Sequence, residues 1–326
     1  MSNKINKSFY LVVLTLSFLF NGKAYADKDF QDWLADFQVE ATQAGISQKT
    51  LNEALTGIQP LPRVIELDNK QPEGQITFSQ YVNRIVSKTR IEKGREMMAQ
   101  NARLLNQVSR EYGVAPQYIV ALWGIETNFG SNTGGFSIVP ALATLAWEGR
   151  RGDFFRRELL DALKILEEGH IDAAHMKGSW AGAMGQCQFM PSSFDRYAVD
   201  GDHDGRKDIW GTKHDVFASA ANYLKQNRWK VGERWGRQVT LPAGFADNLT
   251  GLNIRKTLAE WEKLGVRTAG NKPLPVVAGM EGSLIAPEGL EGPVYLVYNN
   301  YQTIMRWNRS VYFATSVGLL ADAIVR

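Results

Sequence analysis

Cysteine is almost absent from this sequence: its 326 residues contain one, Cys187. A lone thiol excludes an internal disulfide, so the fold is held by a core and not by bridges. About 300 residues suffice to build a large core. Zinc sites of common spacing are excluded too, and none of the four histidines (His170, His175, His203, His214) falls in an H-E-x-x-H pattern. A surplus of one charge is missing as well. Lys and Arg number 37 against 34 Asp and Glu, but Lys4, Lys7 and Lys23 lie in an acid-free N-terminal leader. Without them the chain has 34 of each sign, which gives no support to a nucleic-acid partner. No G-x-x-x-x-G runs into Lys-Ser/Thr and no G-x-S-x-G occurs, so phosphate loops and nucleophile elbows are set aside. Internal repeats and low-complexity tracts are lacking, and no later stretch approaches the ~20 apolar residues that span a bilayer.

What is present begins with Lys4 and Lys7, an apolar run from Phe9 to Phe20, and Ala24-Tyr25-Ala26. That order reads as a secretory signal peptide cut after Ala26. An uncleaved membrane anchor is the competing reading, for which the run is short. No cysteine follows the run, which excludes a lipid-modified N-terminus. The protein from Asp27 onward is expected to be exported and soluble, without a membrane span.

Residues 30–58 predict helices: Phe30, Trp33, Leu34 and Phe37 form one stripe, and Ser47 is placed to cap a second helix running through Leu55. Residues 59–77, with three prolines, read as irregular. Residues 78–111 return to a helical pattern. Their basic residues, Arg84 to Arg110, read as a solvated face or, more sharply, as a contact for a peptide stem. Helices and glycine-rich loops alternate over 112–230. In 231–298 short apolar runs such as Pro275-Val276-Val277 and Val294-Tyr295-Leu296-Val297 suggest a β-rich or irregular unit. A final helix is expected over 311–324.

One carboxylate stands out. Pro116 opens a helix on which Ile119, Leu122, Trp123 and Glu126 share a face, and Gly130 lies near its end. A glutamate on an apolar face is partly desolvated, which raises its pKa toward that of a general acid. The bland alternative is a structural glutamate bonded to backbone or arginine. The stretch from Lys177 to Phe194 is the most unusual. Gly178, Gly182, Ala183 and Gly185 allow close backbone approach, and Ser179, Gln186, Gln188, Phe189 and Met190 between them suit a sugar with hydroxyl edges and apolar faces. Tight helix packing through small residues accounts for the glycines equally well. Among the nine tryptophans, Trp180 and Trp307 are the ones expected to line a cleft.

Three segments carry a resemblance: Trp123-Gly124-Ile125-Glu126-Thr127-Asn128-Phe129-Gly130, Gly178 to Gly185, and Gln188-Phe189-Met190-Pro191-Ser192-Ser193. With Ala221-Asn222-Tyr223-Leu224 and Arg306 to Tyr312, they resemble the lytic murein transglycosylase B family from about Asp29 to the C-terminus. The resemblance implies a mainly α fold: a lysozyme-like catalytic core with a helical N-terminal region and a small β-containing insertion. The implied division is a signal peptide (1–26), the helical region (27–111), the core (112–230) with an EF-hand-like loop (200–215), a small β-containing subdomain (231–298) and a segment completing cleft and core (299–326). It further implies Glu126 as the acid/base, the cleft pair Arg150 and Arg151, and sugar contacts from Ser179, Gln188, Phe189, Met190, Trp307, Asn308 and Tyr312. Two positions depart: the family often has Tyr where Trp307 stands, and glycine is expected at Cys187.

The implied activity is cleavage of the N-acetylmuramic acid to N-acetylglucosamine β-1,4 linkage of peptidoglycan. One carboxylate is enough when the substrate's own C6 hydroxyl attacks, leaving a 1,6-anhydromuramic end. The residues alone leave open a hydrolytic muramidase using Glu126, or a non-catalytic wall-binding protein. The implied partners are glycan strands in the periplasm, with the cell-wall synthesis machinery as a further candidate. No catalytic cofactor is expected. In Asp200-Gly201-Asp202-His203-Asp204-Gly205-Arg206-Lys207-Asp208, aspartates at positions 1, 3, 5 and 9 and glycine at 6 match an EF-hand loop, but position 12 is Gly211. The family's loop is longer, which makes Asp215 the last ligand and Arg206 a carbonyl donor for a structural Ca2+. The alternative is an Asp-Gly turn without metal.

Overall fold

The computed structural model describes residues 21–70 and 76–326, with side chains from Asp29 onward. The leader's basic residues Lys4 and Lys7 and its apolar run lie outside the described residues. Among those described, no helix is long and apolar enough to cross a membrane.

Fourteen α-helices and seven short strands are described. Helix α1 (Asn21–Gln43) buries Phe30, Leu34 and Phe37, with Trp33 stacked on Phe37 at 5.6 Å, which is the expected stripe. Ser47 caps α2 (Gln48–Leu55) by accepting from the Thr50 N–H. The stretch expected to be irregular contains α3 (Pro62–Asn69). Pro62 opens it where an N–H has no intrahelical partner, so here a proline marks a start and not a break. Thr77 and Gln80 form a capping box on α4 (Phe78–Ile85), and Ser87 caps α5 (Lys88–Gln100). Helix α6 (Ala102–Tyr112) ends on left-handed Gly113.

Helix α7 (Pro116–Thr127) is the centre of the molecule. Tyr118 to Gly124 are all buried, so it is shielded on every side and not on one face only. Around it lie α5, α6 and the later helices α11 (Lys213–Gln226) and α14 (Val311–Ile324). Strand β1 (Phe136–Ser137) pairs antiparallel with β2 (Lys177–Gly178). Between them, α8 (Ile138–Glu148) and α9 (Gly152–Glu167) form an antiparallel pair, and α10 (Pro191–Tyr197) packs on α9.

The 231–298 stretch forms an antiparallel sheet of β3 (Gly236–Thr240), β4 (Lys256–Thr257), β5 (Arg267–Thr268), β6 (Glu281–Ile285) and β7 (Val294–Val297), in the order β4-β6-β7-β3-β5. Helix α12 (Leu258–Lys263) covers it, and Trp261, Leu284 and Leu296 centre its own apolar cluster. Val294–Val297 is a strand, as the pattern suggested. Pro275-Val276-Val277 is not: Val276 is wholly exposed, and Pro275 has no N–H to give a ladder.

Trp235 joins this sheet to the helices. Its N–H donates to the Tyr118 hydroxyl of α7, and its indole N–H to Asp322 of α14. Gly318 lets α14 close on the ring, because a Cβ there would sit 2.1 Å from the indole. Helix α13 (Asn299–Trp307) then returns the chain from the sheet to the core. We expect Gly318→Ala to destabilise by about 1–2 kcal/mol, overpacking outweighing the helix propensity gained. Urea denaturation would measure this, and an unchanged midpoint would refute the tight seam.

Candidate active site

Glu126 occupies the last turn of α7 and is half-buried. The helix stops abruptly because Asn128, Phe129 and Gly130 all take left-handed backbone (φ 50°, 61° and 80°). Two consecutive non-glycine residues in that region carry strain. The Thr127 hydroxyl helps hold the turn, accepting from the Gly130 N–H at 3.1 Å and donating to the Gln186 carbonyl at 3.2 Å. A Cβ on Gly130 would meet the Gln186 amide oxygen at 2.3 Å.

The Trp307 indole N–H donates to Glu126 Oε1 at 2.7 Å, across 181 residues of sequence. Behind the carboxyl lies a small, almost wholly apolar cavity lined by Ile119, Leu122, Trp123, Cys187, Val216 and Phe217. Burial pushes the Glu126 pKa up to about 7, and the Trp307 hydrogen bond offsets this only in part. Glu158 is the instructive contrast. It is also buried and shifted upward, but both its oxygens are taken, by the Ser192 hydroxyl (2.7 Å) and N–H (2.9 Å). Glu158 therefore braces α9 against α10, whereas Glu126 has an oxygen with no partner among the described residues.

Trp307 is fixed by aromatic packing against Phe189 (5.2 Å) and Tyr223 (4.7 Å), and Tyr223 in turn lies tilted against Tyr197 at 4.5 Å. Phe189 belongs to the glycine-rich loop, where Met184 and Phe189 exchange both backbone hydrogen bonds and turn the chain back on itself. Gly178 is required here, since a Cβ would strike the Ala183 carbonyl at 2.1 Å. The Ser179 hydroxyl accepts from the Ala183 N–H at 3.0 Å. Gln188, itself left-handed, donates its amide N–H to the carbonyls of Thr133 and Gly185, which leaves its Oε1 as an acceptor. Met190 is half-buried at the start of α10. Gln186 differs: its side chain bridges the Trp123 indole and the Trp210 carbonyl and is spent on structure. Cys187 is buried against the Glu126 cavity. Its thiol donates to the Val216 carbonyl, and burial pushes its pKa up, which makes it inert.

The other expected residues are placed as follows. Tyr312 stands edge-on to Phe78 at 5.3 Å, with Tyr81 at 5.7 Å. Asn308 is exposed and accepts from the Ser310 N–H between α13 and α14. Trp180 is half-buried beside the core. Arg150 and Arg151 both close on the buried carboxylate of Asp68 in α3. Asp68 had no signal in the sequence, since its helix was not expected. Tyr81 was missed as well. Burial, then the charge of Glu126, raises its pKa, so its phenol lies within electrostatic reach of that carboxylate. In the acidic loop, carboxylate oxygens of Asp200, Asp202 and Asp204 gather within 4.8 Å of one another. Gly205 takes the positive φ (93°) that the loop's sharp turn needs. Asp208 instead accepts from the N–H groups of Trp210 and Gly211, and buried Asp215 accepts from those of Gly201 and Asp208. Arg206 donates its N–H to Asp204 Oδ1.

A family model described as the transglycosylase SLT domain matches residues 29–322. The chain belongs to that family. It is 32% identical over 297 residues to membrane-bound lytic murein transglycosylase B of Escherichia coli strain K12, covering 86% of this chain and 79% of that protein. The crystal structure of SltB3 from Pseudomonas aeruginosa in complex with NAG-anhNAM-pentapeptide superposes with a TM-score of 0.89 at 44% identity, over 91% of this chain and 79% of that one. The Escherichia coli lytic transglycosylase Slt35 in complex with calcium gives 0.76 at 29% identity, over 92% and 93%. The mainly helical, lysozyme-like fold and the enzyme class, a lytic murein transglycosylase, are those the motifs implied.

Burial of Glu126 carries a stability consequence. Its folded pKa lies above the unfolded value, so the carboxyl costs nothing below about pH 4.5 and its full penalty above about pH 7. We expect Glu126→Gln to be more stable than the parent at pH 8, by about 1–3 kcal/mol, with the difference vanishing at pH 4. Chemical denaturation at both pH values would test it. Equal stability at pH 8 would mean that the carboxyl is not desolvated.

Proposed function

We propose that this chain cleaves the N-acetylmuramic acid to N-acetylglucosamine β-1,4 linkage of peptidoglycan, with Glu126 as its single acid/base, and leaves a 1,6-anhydromuramic end. The observation that carries the reading is a carboxyl at the end of a buried helix with a pKa near 7, held by one indole and keeping one oxygen for substrate. The neutral acid gives its proton to the bridging oxygen as the bond breaks. The resulting carboxylate then takes the proton of the substrate's C6 hydroxyl as that oxygen attacks the anomeric carbon. An attacker within the same molecule has a high effective concentration, so no second carboxylate has to position water. The anhydro sugar named in the SltB3 complex is consistent with this product.

In this reading Ser179, Gln188 and Met190 line the sugar site together with Trp307, which packs on Phe189, and with Asn308, Tyr312 and Tyr81. Arg150 and Arg151, braced by Asp68, flank it. The proposed division keeps the catalytic core at 112–230, the sheet subdomain at 231–298 and the closing segment at 299–326. Calcium is a structural ligand of the 200–215 loop here: Asp200, Asp202 and Asp204 would hold it through oxygens of the type it prefers, with Arg206, Asp208 and Asp215 supporting. The calcium in the Slt35 structure is in keeping with such a site. The leader and the substrate together point to the periplasm, with the wall-synthesis machinery as a candidate partner.

Digestion of purified peptidoglycan with residues 27–326 is expected to release anhydro-ended muropeptides, identified by mass spectrometry. Reducing ends would indicate a hydrolase. Glu126→Gln should retain binding and lose about 10³-fold or more in kcat, and parent activity should fall as pH rises through about 7. Unchanged turnover would remove Glu126 from the mechanism. Added calcium should raise the melting temperature of the parent but not of Asp202→Asn; no rise in the parent would exclude the metal site.

A further inference from the structure

Strand β3 carries a charge where its pattern calls for an apolar side chain. Arg237 stands opposite Leu296 in the ladder and two residues before Val239, and both of those belong to the apolar cluster under α12. Side chains alternate along a strand, so Arg237 lies on that same face. The opposite face, with Tyr295 and Val297, packs into the helical core. Among the described residues no carboxylate pairs with Arg237. Its guanidinium lies 5.7 Å from the centre of the Tyr298 ring. Arg237 Nε and the Tyr298 hydroxyl are both shut off from solvent without a hydrogen-bond partner. Burial raises the Tyr298 pKa, and the Arg237 cation beside it offsets this in part. A guanidinium only donates, so its presence leaves the phenol proton without an acceptor. Other arginines of the subdomain are spent: Arg234 on Asp322, Arg255 on Glu281 and Asn299, and Arg267 on the carbonyls of Glu262 and Val266. Arg90 in α5 also has a bare Nε, but its terminal nitrogen donates to the Ile85 carbonyl.

Arg237 and the wholly buried Tyr298 line an open groove of about 510 Å³. Val231 and Val277, both exposed, line it as well, together with Met280. Glu233 is there too, but its oxygens accept from the N–H groups of Asn299 and Asn300 and from the Asn299 amide. The start of α13 thus balances its charge.

We propose that this groove on the sheet subdomain is a second binding site, which takes a carboxylate joined to an apolar group. The inference is independent of the reaction proposed above. Two unmatched donors select an acceptor that carries negative charge, and the valines and the methionine offer surface to an apolar group beside it. A peptide C-terminus with an apolar last side chain and a free branched acid share this chemistry. An unpaired cation on the inner face of a sheet works against folding, and a seated carboxylate supplies the missing counter-charge.

Calorimetry with four probes tests it: N-acetyl-leucine, N-acetyl-leucine amide, 4-methylpentanoate and inorganic phosphate. The parent is expected to bind the two carboxylates and not the amide. Tighter binding of N-acetyl-leucine supports the site as one for a peptide C-terminus, and tighter binding of 4-methylpentanoate as one for a free acid. Arg237→Gln should weaken the carboxylates by about tenfold, as expected for lost charge-assisted hydrogen bonds, and Tyr298→Phe by about threefold. Arg237→Leu separates binding from folding. Without ligand it should melt no lower than the parent, because leucine suits the inner face and removes an unpaired charge, and N-acetyl-leucine should raise the melting temperature of the parent alone. Peptidoglycan cleavage by Arg237→Gln should match the parent's. No heat from either carboxylate in the parent, or equal affinities in parent and Arg237→Gln, overturns the proposal. So does phosphate binding as tightly as the carboxylates, which would leave the apolar group without a part. A lower melting temperature in Arg237→Leu would make Arg237 a structural residue and overturn it too.

Discussion

Withdrawal of one carboxyl group from water is the constraint around which this molecule is organised. Glu126 can be kept neutral near pH 7 only if its helix is sheathed on all sides and the space behind it is apolar. Helices α5, α6, α11 and α14 provide the sheath, and Trp123, Cys187, Val216 and Phe217 line the space. A wholly unpartnered acid would be misplaced as well as neutral. The single indole hydrogen bond from Trp307 orients one oxygen and leaves the other open. Glu158, with both oxygens bonded to Ser192, illustrates how a buried glutamate is lost to chemistry when its lone pairs are satisfied.

The same demand explains the backbone around the site. The left-handed run Asn128-Phe129-Gly130 ends α7 immediately beyond the glutamate, and the glycine-rich loop folds back so that Phe189 can support Trp307. Gln186 fastens these parts together. It accepts from the Trp123 indole, donates to the Trp210 carbonyl, and is met by the Thr127 hydroxyl at its own carbonyl. Through Ile209 and Trp210 the clamp continues into the acidic loop, whose Asp208 and Asp215 are spent on backbone N–H groups. Hydrogen bonds thus join that loop to the helix that carries Glu126.

The sheet subdomain has a mechanical part. Trp235 ties it to α7 and α14, and Glu288 accepts from the Ser79 N–H and hydroxyl at the start of α4. Helix α4, which carries Tyr81, is therefore tied to the sheet subdomain by a residue 209 positions from Ser79. Composition and spacing give no hint of such a contact. Each partner alone is an ordinary polar residue.

Local rules were enough for much of this protein. Apolar periodicity placed α1, the final helix and the helix of Glu126, capping chemistry placed Ser47, and the run Val294–Val297 announced a strand. The motifs around Glu126 and the glycine-rich loop marked the family. These features depend on neighbours within a turn or two, so a linear reading finds them. Helix α3 escaped that reading because proline's effect depends on whether it falls at a helix start, and Pro275-Val276-Val277 misled it because strands need a partner. What only the tertiary structure decided is which polar groups remain unsatisfied. The pKa of Glu126, the idle thiol of Cys187 and the brace of Asp68 on Arg150 and Arg151 all follow from contacts between distant segments. Desolvation and pairing are properties of three-dimensional surroundings, and no spacing along a chain encodes them.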